Sequence, residues 1–165
     1  MHLYIVRHGI SIDREDPDCP PEAERYLTPK GIEKTREAVR GLRRMDINPD
    51  LALTSPYVRA VQTAEIFCSV LGFPESRTKK TDALKPDAPP RLLFEELAKS
   101  KAQEVICFGH GPNVDELIAF ATHAPKAFTE LKKAGVACLD LHSVSPADGS
   151  LLWLMTARAL RDLDD

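Results

Sequence analysis

Paired cysteines, long apolar runs and an excess of positive charge are all missing from this sequence, and each absence removes a class of protein. Cys19, Cys68, Cys107 and Cys138 lie tens of residues apart with no paired spacing, and three of them sit inside apolar runs. They read as buried thiols of a reducing cytoplasm, not as a zinc site or a disulfide framework. Before Arg7 the only apolar run is Leu3 to Val6, far short of a signal-peptide core or a spanning helix of about 20 residues. A cytoplasmic protein without membrane attachment is therefore expected. The formal charge of −3 offers no broad basic field for a nucleic-acid backbone or an anionic membrane. Glycine is sparse, with 8 residues against 13 prolines, which points to stiff extended loops in place of flexible linkers.

What is present is ordinary globular material: 165 residues, 43% hydrophobic and 28% charged, enough for one domain of roughly 150 residues and too apolar for disorder. Short apolar strands alternate with amphipathic helices, and that alternation predicts an α/β fold. Strands are expected at about His2 to Arg7, Leu51 to Thr54, Arg77 to Leu84, Glu104 to Phe108, Ala134 to Leu141 and Leu151 to Met155. The last two have no helix between them, so one should pair antiparallel at a sheet edge. Helices are expected to start at Thr28-Pro29 and Ser55-Pro56, each a cap followed by proline, then at Pro89 or Pro90 and at Pro112 or Asn113. The second should end at Gly72, and the polar tail from Ala157 to Asp165 is expected to fray. A three-layer αβα sandwich follows, in one domain over residues 1–165.

In such a sheet ligands collect at the carboxyl ends of the strands, where helix N-termini converge. The first strand ends Arg7-His8-Gly9 and the buried one ends Gly109-His110-Gly111. Taken alone, either histidine could be a capping or exposed residue. Arg59 shifts that balance, because in the first turn of its helix the macrodipole disfavours a cation unless an anion occupies the helix mouth. Two arginine forks and two imidazoles at one sheet end suit a phosphate group. No Walker-type loop and no paired metal-binding acids compete for the role, so neither a metal nor a cofactor is expected.

Arg7-His8-Gly9, Leu27-Thr28-Pro29-Lys30-Gly31, the stretch from Ser55 to Thr63 with Arg59 inside it, and Gly109-His110, in this order, resemble the histidine phosphatase superfamily, also called phosphoglycerate-mutase-like. The resemblance implies that His8 accepts the phosphoryl group, that Arg7 and Arg59 hold its nonbridging oxygens, and that His110, protonated beside the bound dianion, adds a donor. It also implies a phosphorylated protein or small phosphorylated molecule as substrate, and a monomer is expected. Ser11 is a candidate phosphate contact, with a plain loop serine as the alternative. Where ester-cleaving members carry a glutamate as proton donor this chain has Pro86, after Leu84-Lys85. Asp87 is the tentative donor and Asp82 the other candidate, each readable as an ordinary loop acid. Imidazole leaves more readily than an alkoxide, so a site without a strong acid suits phosphohistidine. The alternatives are a phosphomonoesterase for a small metabolite and a phosphate-binding module without turnover. The acidic stretch 13–24 and the basic helix face 30–44 read first as solvated surfaces. His2, His123 and His142 receive no role, and Trp153 reads as core.

Overall fold

The computed structural model describes residues 1–165. Six strands form one sheet in the order β3-β2-β4-β1-β5-β6. They are β1 (His2–Arg7), β2 (Leu51–Thr54), β3 (Thr78–Lys80), β4 (Glu104–Gly109), β5 (Val136–Val144) and β6 (Ala147–Met155). The helices are α1 (Pro29–Arg43), α2 (Val58–Leu71), α3 (Pro90–Leu97), α4 (Asn113–Ala121) and α5 (Ala157–Asp162).

Continuous apolar strands arise because both sheet faces are covered, so successive side chains enter different cores. Leu3 and Ile5 of β1 join Val105 and Cys107 of β4 in a core with Leu93 of α3 and Leu117 and Ile118 of α4. Tyr4 and Val6 join Ile106 and Phe108 in the opposite core with Val39 and Leu42 of α1, Phe67 of α2 and Leu160 of α5. That makes the three layers. Trp153 lies half-buried on this second core, its ring 6.2 Å from that of Tyr4.

Strands β1, β4, β2 and β3 run parallel. The antiparallel strand is β5, one position in from the edge, and β6 turns back against it as the edge itself. The stretch expected as one strand from Arg77 to Leu84 holds only the three residues of β3 before a 3-10 turn, Asp82–Leu84, started by the Thr81 hydroxyl accepting from the Ala83 N–H. Thr28 does cap α1, accepting from the Gly31 N–H at 3.0 Å, with Pro29 at the first position. At α2 the cap lies elsewhere than Ser55: Tyr57 occupies it, without a side-chain bond, and Gly72 closes the far end at φ 72°. The tail does not fray. Thr156 caps α5 and the fully buried Leu160 anchors it against α1.

Candidate active site

Three neighbouring parallel strands end in step, and this register builds the site. Arg7 pairs with Gly109 and Thr54 with Phe108 across the sheet. Beyond those pairs the His8 N–H donates to the Gly109 carbonyl and the Ser55 N–H to the Phe108 carbonyl, both at 2.9 Å. His8, His110 and Ser55 therefore emerge side by side, and the two imidazole centroids lie 5.1 Å apart.

His8 is 6% exposed and His110 only 1%. Burial, with the nearby Arg59, Arg7 and Lys133 charges, pushes the His8 imidazole down to about 3 against the pull of its bond to Gly9. Burial, then His8 and the same arginines, push His110 to about 2. Both rings are neutral near pH 7. The Nδ1 of His8 sits 2.7 Å from the Gly9 carbonyl oxygen, which can only accept, so the proton resides on Nδ1 and Nε2 carries a lone pair. That lone pair faces Arg59, whose Nε–H donates to it at 3.3 Å.

His110 reaches the Ser55 hydroxyl through Nε2 at 2.8 Å, and this hydroxyl also accepts the Tyr57 N–H. The other ring nitrogen, Nδ1, is buried with no protein partner. Sequence expects a protonated His110 beside a dianion. The protein by itself holds a neutral ring, which still offers one N–H. Ser55, read as a helix cap, instead orients this ring, and its place two residues before the cap explains why.

Arg7 donates through Nη1 to the Leu131 carbonyl at 3.0 Å, while its buried Nε has no partner. Arg59 is 2% exposed and fully engaged: Nη1 donates to the Glu22 carbonyl at 2.7 Å and Nη2 to the Glu22 Oε1 at 2.9 Å. The helix-mouth arginine thus has its anion within the chain. Glu22 lies in the acidic stretch read as solvated surface, and Arg14, Arg25 and Arg59 converge on it. These arginines hold its carboxyl down at about 2.

The structure does not gather every candidate. Ser11 is buried, but its hydroxyl accepts from Arg25. Asp82 pairs with Lys85 at 3.2 Å. Asp87 is exposed on the turn before α3, next to Ala88, whose carbonyl accepts from Asn113 of α4. Two braces lie inside the Ser55 to Thr63 motif: Thr63 accepts the Gly9 N–H at 3.0 Å, and Gln62 accepts the Leu27 N–H at 2.7 Å. Their presence in the motif was the available signal. Glu22 and Arg25 had none, since nothing distinguishes them from neighbouring charges.

Two neutral imidazoles and the guanidinium groups of Arg7 and Arg59 gather at the carboxyl ends of the parallel strands, and the chain is a phosphatase. The chain belongs to the histidine phosphatase superfamily (branch 1), whose sequence pattern matches residues 3–85. It is 31% identical over 138 residues to an uncharacterized protein of Picosynechococcus sp., covering 82% of each chain. It is also similar to the phosphohistidine phosphatase SixA of Escherichia coli K12, at 27% identity over 161 residues and 94% of each chain. Among solved structures, the protein histidine phosphatase SixA complexed with tungstate shares the fold, with a TM-score of 0.84 at 24% identity over 97% of this chain and 99% of that one. No helix is long and apolar enough to cross a membrane.

Proposed function

We propose that this phosphatase removes the phosphoryl group from phosphohistidine on a protein, by way of a phosphohistidine formed on its own His8. The observation that carries the mechanism is the His8 ring, its Nδ1 bound to the Gly9 carbonyl and its unprotonated Nε2 turned towards Arg59. Nε2 attacks phosphorus, a new N–P bond forms, and the bond from phosphorus to the substrate imidazole breaks. Water then attacks the same phosphorus and the His8 N–P bond breaks. One water proton ends on the substrate nitrogen, and hydrogen phosphate leaves.

Charge on the transferring group is met by protein donors already in place, which is the main lever in this chemistry. Arg7 supplies its unpartnered Nε and His110 its unpartnered Nδ1, and the Arg59 Nε–H is released to the phosphoryl group as His8 Nε2 turns to phosphorus. The protein-phosphohistidine reading draws on the similarity to SixA and on the loop acids. Asp82 is tied to Lys85 and Asp87 is exposed to water, so neither is a buried carboxyl held against the site to protonate an alkoxide. The free cysteines, three of them buried, support a reducing, cytoplasmic setting.

Substrate profiling tests this reading. Turnover of a protein carrying phosphohistidine is compared with a panel of sugar and nucleotide monophosphates and phosphoserine. The expected outcome is a kcat/KM for the phosphohistidine protein well above that of every ester. A clear preference for one ester, abolished by Asp87→Asn, would replace it with the small-metabolite phosphomonoesterase.

A further inference from the structure

The carboxylate of Glu22 is the one acid that reaches the proposed reaction centre, and it does so through Arg59. Its Oε1 accepts from Arg59 Nη2 at 2.9 Å, Arg25 Nη1 at 3.1 Å and Arg14 Nη2 at 2.7 Å, and its Oε2 accepts from Arg14 Nε at 2.9 Å. The Glu22 carbonyl takes the remaining Arg59 nitrogen, Nη1, at 2.7 Å. The residue is fixed from behind by the 3-10 turn Glu22–Glu24 and by Arg25, which is 6% exposed and donates to the Ile12 carbonyl through Nε and Nη2.

A guanidinium is a rigid plane, so once both Nη atoms are bonded the direction of the Nε–H is determined. That N–H points at His8 Nε2. Three guanidinium groups also converge here, and without a shared anion they repel one another. Held ionised by these arginines, Glu22 has no proton to give, which excludes it as the general acid.

We propose that Glu22 is a positioning residue: through its carboxylate and carbonyl it clamps the Arg59 fork so that Nε–H alone faces His8 and the phosphoryl group. This rests on the role of His8 in the proposed function. Arg59 then contributes one directed donor, and the grip on the phosphoryl oxygens falls mainly to Arg7, whose Nε is unpartnered.

The test is a double-mutant cycle on the full-length chain with an aryl phosphate ester as probe. Glu22→Ala is expected to lower kcat about 10- to 100-fold, with KM changed less than about threefold, because misorientation of a catalytic contact costs rate before it costs ground-state binding. In an Arg59→Ala background the same substitution is expected to change kcat less than about twofold. Glu22→Gln keeps the shape and one acceptor, so it should fold like the parent and lose an intermediate factor. An unchanged kcat in either Glu22 variant, or an equal loss in both backgrounds, would overturn the proposal; so would a lower Tm with kcat per folded molecule intact. Turnover by the parent that survives His8→Ala would instead overturn the proposed function, which keeps the two failures apart.

Discussion

At the scale of single residues, the two edges of the His8 ring have different neighbours, and that difference sets both tautomer and charge. The Gly9 carbonyl accepts from Nδ1, but burial penalises the imidazolium and the guanidinium at Nε2 leaves a second N–H no acceptor there. The folded pKa of about 3 lies below the ordinary value of 6.5, so between these limits the unfolded chain binds more protons and stability falls as pH falls. His110, at about 2, acts in the same direction. Thermal denaturation should show Tm falling as pH drops from about 6.5 towards 4, and His8→Asn with His110→Asn should flatten that fall in the range above 4.5. Turnover should not lose its acid limb to His8 protonation anywhere between pH 5 and 8. A limb in the parent's kcat/KM with a midpoint near 6.5, beyond what the substrate's own titration explains, would contradict a buried neutral nucleophile.

Residues whose position follows from a strand end were legible in the sequence. Arg7, His8 and His110 stand where strands stop, and Arg59 stands oddly in a first helical turn. Glu22 was not legible, because its partner is 37 residues away and its acidic neighbours Asp13, Asp16 and Asp18, exposed as it is, look identical to it in sequence but pair with no arginine.

Elements were predicted where periodicity and caps agree and misjudged where one signal stands alone. Thr28-Pro29 marks α1 because the hydroxyl has the Gly31 N–H to bind. Ser55-Pro56 carries the same signature two residues early, because the serine is spent on His110. The tail looked too polar for a helix, yet one residue, Leu160, suffices when a glycine opposite lets the backbone approach. A methyl group on Gly41 would fall 1.6 Å from the Leu160 carbonyl oxygen, a contact with backbone that no rotamer relieves. Gly41→Ala should therefore displace α5 and cost roughly 1–3 kcal/mol, read as a Tm lower by roughly 2–4 °C per kcal/mol, with kcat of the folded enzyme unchanged. An unaltered Tm would show that α5 does not depend on this approach.

At the scale of the whole molecule, the net charge of −3 conceals a concentrated cationic site. Arg7, Arg59 and Lys133 all act on His8, with Arg14 and Arg25 behind Glu22. Phosphate binding should accordingly weaken as salt rises through the range where the Debye length shortens below about 10 Å, despite the acidic total. The measured quantity is the inhibition constant of inorganic phosphate against sodium chloride concentration, and a constant independent of salt would contradict a charge-driven site. The fold as a whole was readable because alternating strand and helix patterns leave few α/β solutions. The Glu22 clamp was not, because it exists only once the turn Glu22–Glu24 has folded against α2.

The proposed chemistry turns on one atom, the Nε2 of His8. The direct measurement is to react the enzyme with a labelled phosphate ester, quench in alkali, and locate the phosphoryl group by peptide mapping and phosphorus NMR. The predicted result is an acid-labile, alkali-stable phosphoryl group on His8, bonded to Nε2, and absent from His8→Ala. A phosphoryl group on another residue, on Nδ1, or retained in His8→Ala would contradict it.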